Sequence, residues 1–294
     1  MWIVFTFLAA FMQSWRNALQ SQLSRDVKVA GVTLARFIWA GPIAACYLMA
    51  LYLWLPPEQA IGASPFPVPF WGFVSGAALM QIVATGLMVK LFQLRDFAIG
   101  AGLAKSEAIV AAVFGALFFG TQLSLLGWVG VVIGAVAVLL MSKGAGVARL
   151  SPQVLLLGLA CGSAFALTSL WVREASLVLG LPFPHSAAWV LFWVISLQTA
   201  ILLLFLWWRD RQTLAALWCR PKLTLAISIT SCLGSIGWFS AMALEAVPYV
   251  KTLGQVEVFF TLLVAGGYLK QKVKPKEMTA LLLIAVAAIL VIWG

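Results

Sequence analysis

From Ala108 to Ser142 the chain runs for 35 residues without a charged side chain, and a stretch of that kind leaves few folds open. A helix of about 20 apolar residues crosses the hydrocarbon core of a bilayer. The run is too long for one crossing, and Gly120, Thr121 and Gln122 supply a turn near its middle. It therefore reads as two membrane helices in tight sequence. Dividing the remaining apolar stretches in the same way gives ten spans, at residues 2–22, 29–54, 69–91, 98–119, 124–142, 152–175, 184–208, 223–244, 249–269 and 276–293. The expected fold class is an all-α polytopic membrane protein with ten transmembrane helices, arranged as two inverted five-helix repeats, 1–150 and 151–294.

Composition agrees with that class and excludes a soluble domain. Hydrophobic residues make up 63% and charged residues 10%, against roughly 25% charged in soluble domains. The apolar start has no basic leader and runs into Arg16 and Asn17 without a small-residue cleavage motif, so the first helix is expected to be retained.

The formal charge of +10 would suit nucleic acid if it formed one patch, but it is spread over short loops and reads as a topology signal, with no nucleic-acid partner expected. Arg25 and Lys28, Lys90 and Arg95, Lys143 and Arg149, Arg209, Arg211, Arg220 and Lys222, and Lys270, Lys272, Lys274 and Lys276 follow spans one, three, five, seven and nine. The positive-inside rule puts those connections in the cytoplasm and both termini outside. A multi-pass protein of a bacterial inner membrane, monomeric or homodimeric, is the expectation.

Cys46, Cys161 and Cys232 lie in predicted spans and Cys219 in a basic loop, without metal or disulfide spacing. His185 is the single histidine, and no HExxH, nucleophile elbow or phosphate loop occurs. No metal, cofactor or catalytic residue is expected, and the chain is not read as an enzyme.

Function turns on Glu107 and Glu257. A carboxylate near a bilayer centre costs about 2.5–3.5 kcal/mol on insertion scales, and these two stand at a shift of 150. The same shift pairs Leu103, Ala135, Val136, Ala137 and Leu140 with Leu253, Ala285, Val286, Ala287 and Leu290, without a gap. Five spans per repeat is an odd number, so the second repeat must be inverted, an arrangement common in carriers whose site lies near the midplane.

Two times five helices, with an acid early in span four and again in span nine, resemble the drug/metabolite transporter superfamily, specifically its EamA-type carriers. The likeness rests on LAKSEAIVAAVFGALFFG from Leu103, TLGQVEVFFTLLVAGGYL from Thr252 and ARFIWAGPIAA from Ala35, and it covers nearly the whole chain. It implies ten helices around a central cavity, alternating access and export of small metabolites or drugs. Where that family often places proline after the acid, Ala108 and Val258 stand here, which removes the proline that would break the helix. Such carriers are usually drawn with both termini in the cytoplasm, opposite to the loop charges.

Five basic residues lie within or beside spans: Arg16, Arg36, Lys105, Arg173 and Lys251. Their candidate partners are Glu107, Glu174, Glu245 and Glu257. The functional reading gives the two glutamates a proton or the amine of a zwitterionic substrate such as an amino acid. Lys105, Lys251, Arg16, Asn17 and Arg173 then hold its carboxylate or close a gate. The competing reading makes the glutamates structural partners, with Lys105 and Lys251 snorkelling to opposite surfaces and Arg36 bonded to a glutamate or a carbonyl. Lys251 and Gln255 are expected to share one helix face, and Gly254, Glu257 and Thr261 another. Gln13 and Asn17, four apart, form a polar face on span one. Trp15, Trp171, Trp238 and Gln255 are candidate cavity wall. Trp54, Trp71, Trp128, Trp207 and Trp208 read as interfacial anchors, and Gly130 with Gly134 as a close helix contact or dimer face. An organic-anion or phosphometabolite carrier is the alternative, followed by a lipid-handling protein, an intramembrane enzyme and a scaffold.

Overall fold

The computed structural model describes residues 1–57, 66–94, 104–144, 152–267 and 275–293. Every regular element among them is helical: α1 (Trp2–Leu23), α2 (Val29–Ala35), α3 (Ala40–Trp54), α4 (Val68–Leu94), α5 (Glu107–Phe118), α6 (Leu125–Gly144), α7 (Pro152–Val178), α8 (His185–Arg209), α9 (Arg211–Trp218), α10 (Pro221–Leu244), α11 (Val247–Leu253), α12 (Glu257–Gly267) and α13 (Pro275–Trp293). Six segments among the described residues are long and apolar enough to cross a membrane: Val29–Trp54, Val68–Leu94, Pro152–Val178, His185–Arg209, Pro221–Leu244 and Val247–Val264. The start of the expected fourth span, 98–103, lies outside the described residues, as do Arg95, Arg149, Lys270, Lys272 and Lys274.

Three expected spans are interrupted. Span two turns at residues 36–39, between α2 and α3. In spans four and nine a 3₁₀ turn, Ala104–Ser106 or Gly254–Val256, ends immediately before the glutamate that opens α5 or α12. These breaks need no proline. At the first, α7 passes so close that a Cβ on Gly162 would fall 2.9 Å from the Glu107 backbone nitrogen. At the second, Gly254 has low helix propensity and the Trp238 ring presses on its Cα face. The basic loop after α8 is also more ordered than expected, since α9 forms there with Asp210 Oδ1 accepting from the Thr213 backbone nitrogen at 3.1 Å.

Small residues set the packing. α1 lies along α10 because Gly237 leaves room for the Phe5 carbonyl, which a Cβ would meet at 2.7 Å. α4 lies along α7, with the Trp171 ring against Gly76. α6 lies along α13, where Gly130 faces Val291 and the Ala287 carbonyl, and Gly134 faces Gln255. The Gly130 and Gly134 pair is therefore an intrachain contact. Gly120, at φ +61°, makes the turn between α5 and α6 that divides the uncharged run.

Described connections gather at the two ends of the bundle. At one end Lys28 Nζ bonds Asp210 at 2.7 Å, Arg220 pairs with Asp26, and Gln93 Nε2 donates to the Ser24 carbonyl at 3.1 Å. At the other end Phe5 meets the ring of Phe183 at 5.6 Å, and Leu55, Pro56 and Pro57 face the 180–185 turn. Trp54, Trp207 and Trp208 stand exposed at helix ends, as anchors would.

Candidate functional site

Glu107 and Glu257 each occupy the first position of a helix, where the positive end of the macrodipole favours a carboxylate. Lys105 is two positions from Glu107, about 200° around a helix, and it does not reach that carboxylate. It pairs with Glu257 Oε2 instead. Lys251 precedes Glu257 across the second break and pairs with Glu107 Oε1 at 2.7 Å. The lysines are thus exchanged, each bound to the glutamate of the other half. Neither snorkels: their side chains are 11% and 10% exposed. The break also defeats the i, i+4 pairing of Lys251 with Gln255, because Lys251 turns toward α5 while the Gln255 amide packs on Gly134.

Around each carboxylate a different set of donors gathers. Glu257 Oε2 accepts from Gln13 Nε2 at 2.5 Å and Oε1 from Asn17 Nδ2 at 3.0 Å, so the polar face read on α1 serves this one residue. Asn17 Oδ1 accepts in turn from Arg16 Nε at 3.2 Å and Nη2 at 2.7 Å. Glu107 Oε1 has the Ser169 hydroxyl at 3.1 Å. The two centres are joined through Trp238, whose Nε1 donates to Gln13 Oε1 at 2.8 Å and whose ring lies 4.2 Å from Lys251 Nζ. Side chains linked this way in a low dielectric polarise one another and act as a unit.

Beside this network lies a narrow cavity of about 20 Å³, roughly the room one water needs. Glu107, Lys251, Gln13, Gln81, Arg36 and Trp238 line it, together with the hydroxyls of Thr168, Ser169 and Ser235 and apolar groups. Among the described residues Arg36 is bonded neither to a glutamate nor to a carbonyl. Its Nε donates to Ser231 Oγ at 3.1 Å and its Nη1 to Thr85 Oγ1 at 2.7 Å. It is held there because the turn at residues 36–39 aims it inward between α4 and α10.

Other expected site residues stand elsewhere. Arg173 donates from Nη1 to the carbonyls of Met242, at 2.7 Å, and Glu245, so it caps the end of α10 and does not line the cavity. Trp171 packs on Gly76. Trp15 lines an apolar crevice between α1 and α12 with Phe11, Phe260 and Leu263. Gln255 is 1% exposed, and its amide has no hydrogen-bond partner among the described residues. Of the four residues expected to form the cavity wall, only Trp238 does. Sequence reasoning missed Ser169, Gln81 and the inward aim of Arg36. Gln81 could have been singled out, being an amide in the middle of an apolar helix whose one charge, Lys90, stands near its end.

The sequence matches no family model and no curated protein. The fold is nonetheless shared with solved structures. One, described only as "Crystal structure of protein", superposes with a TM-score of 0.71 over 98% of this chain and 94% of that one, at 17% identity. That likeness extends over the whole chain and concerns the arrangement of helices alone.

Proposed function

We propose that the chain is a secondary carrier of the drug/metabolite transporter type, related to EamA carriers, that moves small polar or zwitterionic metabolites such as amino acids by alternating access. The observation that carries this reading is the exchange of lysines between Glu107 and Glu257 beside a central cavity. Intramembrane ions are costly and tend to pair with one another or with a substrate. Here they couple two halves that must move relative to each other if access is to alternate.

Packing supports reading the chain as ten spans in two inverted repeats, 1–150 and 151–294. The shift of 150 that maps Glu107 onto Glu257 maps α1 onto α7 and α4 onto α10, and the pair α1 with α10 is exchanged for the pair α7 with α4. α6 and α13, equivalent under the same shift, pack on each other. Loop charge puts both termini outside a bacterial inner membrane, with export the expected direction. A cavity of about 20 Å³ is too small for a metabolite, which fits an occluded form. In the cycle we envisage, a substrate amine competes with Lys251 for Glu107, loosens one crossed pair and lets the bundle open. Carrier chemistry of this kind needs no nucleophile, metal or cofactor.

Uptake and counterflow in proteoliposomes, with a mixed pool of amino acids and organic phosphates read by mass spectrometry, test the proposal. The parent should exchange one class of solute, and the Glu107→Gln plus Glu257→Gln variant should not. A folded parent that exchanges nothing would sink the carrier reading. The alternative, an organic-anion or phosphometabolite carrier, is favoured by one observation: Arg16 and Arg36 are buried with no carboxylate in ion-pair contact among the described residues.

A further inference from the structure

Four cations and two carboxylates meet at the centre of the bundle. Lys105 and Lys251 use both carboxylates. Among the described residues Arg16, 1% exposed, is hydrogen-bonded toward Glu257 only through the amide of Asn17, and Arg36, 2% exposed, hydrogen-bonds only hydroxyls beside the Phe37 ring. Arg173 and the half-buried Glu174 and Glu245 form a separate group around the end of α10. Among the described residues the centre is therefore short of two negative charges. Removing a charge from water without a partner costs several kcal/mol even after relaxation, and two neutral hydroxyls offset little of that. Of the two arginines, Arg36 is the one that lines the cavity.

We infer that Arg36 is the docking point for an oxyanion, and that the solute handled here carries a carboxylate or phosphate group. This rests on the carrier reading of the same site and specifies its substrate class. A guanidinium presents a planar fork of donors that matches two oxygens of such a group. The rest of the wall suits the remainder of a small polar molecule: Gln13 and Gln81 offer amides, Ser235 and Thr168 hydroxyls, and Trp238 a flat apolar face. Glu107 stands on the same cavity and would take an amine if the solute has one. A solute with an amine and no oxyanion would add a positive charge to a centre already in excess, so cationic amines are excluded on the same ground that admits anions.

The test uses the full chain purified in detergent and follows its thermal unfolding with lactate, alanine, inorganic phosphate, alaninamide and glycerol at equal concentration and ionic strength. Lactate or alanine, or phosphate, should raise Tm by several degrees, and which of them does so separates a carboxylate from a phosphate solute. Alaninamide and glycerol should leave it unchanged. In R36Q the apparent affinity for the protecting oxyanion should fall by about tenfold to a hundredfold, with R36K intermediate because it keeps the charge and loses the fork. The parent panel decides even if R36Q fails to fold. Protection by alaninamide or glycerol equal to that by alanine, no protection by any oxyanion, or unchanged affinity in a folded R36Q would each overturn the inference. Counterflow in proteoliposomes separates the two claims. Oxyanions that bind but are never exchanged would refute the carrier, whereas exchange of solutes lacking an oxyanion, undiminished in R36K, would refute the role of Arg36.

Discussion

Glu107 and Glu257 occupy equivalent positions in two halves of one chain, follow the same 3₁₀ break and each hold the other half's lysine, yet their surroundings differ. Glu257 is enclosed by three donors, Gln13, Asn17 and Lys105. Glu107 has Lys251 and a serine hydroxyl, and it faces the cavity. A saturated carboxylate has little left to offer a ligand, whereas one on a cavity wall with a single ion partner can exchange that partner. The difference teaches that residues at matching positions can differ in what they do. On this geometry Glu257 fastens α1 to α12, and Glu107 is the member that faces the cavity.

Single substitutions measure how far apart the two have moved. Glu257→Gln leaves Lys105 buried without a counter-ion and should cost about 3–5 kcal/mol, read as a large fall in the thermal unfolding temperature in detergent. Glu107→Gln should cost less, about 1–3 kcal/mol, because Lys251 keeps the Trp238 ring, and under the carrier proposal its main effect should be on solute exchange. Equal losses of stability from the two would break the comparison.

Backbone proximity gives a second contrast. Gly162→Ala would push a methyl group onto the Ser106 hydroxyl and to 2.9 Å from the Glu107 backbone nitrogen, an overpacking of about 1–3 kcal/mol. Gly134→Ala meets first the Gln255 amide, the far end of a flexible side chain, and should cost visibly less in the same unfolding assay. Trp238→Phe keeps a ring beside Lys251 and removes the donor to Gln13, the bridge between the two centres. About 0.5–1.5 kcal/mol of stability should go with it, and a double-mutant cycle with Glu257→Gln should show coupling if the bridge is real.

An exposed ion pair sets the lower end of this scale. At the loop end of the bundle Lys28 and Thr213 hold the Asp210 carboxyl down from its ordinary value to about 2. A depressed folded-state pKa contributes stability above the unfolded value of 3.8 and loses it as pH falls through about 2. Melting curves of the parent and Asp210→Asn should therefore differ slightly at pH 5 and converge as pH is lowered toward 2. A gap that stays constant over that window would show that the loop owes nothing to the charge.

Much of this arrangement is legible in residue spacing. Scarce glutamates at a shift of 150 mark the centre, and Gln13 with Asn17 mark the face of α1 that meets it. What escapes is whatever depends on contacts across the two halves. Lys105 and Glu257 are 152 positions apart, and no periodicity announces their pairing. Helical arithmetic puts Lys251 beside Gln255 because it assumes an unbroken helix, and the break at Gly254–Val256 comes from the Trp238 ring and the approach of neighbouring helices. Burial alone suggests a glutamate or a carbonyl as partner for Arg36, but its two hydroxyl partners come from two separate helices, α4 and α10, that meet at its turn. Arg173 sits at a plausible depth for a site and bonds carbonyls instead, since the end of α10 exposes acceptors that composition does not register.

The exchange of lysines also bears on how the chain is made. As synthesis proceeds from the N-terminus, Lys105 and Glu107 leave the ribosome before either of their partners, Glu257 and Lys251, has been made. The first half must wait with an unmatched lysine and an unmatched carboxylate, so synthesis and assembly are separate events in time, and anything that cuts the chain between them strands a half that cannot complete itself. Fragments 1–150 and 151–294 expressed alone should be degraded, and expressed together should rescue one another.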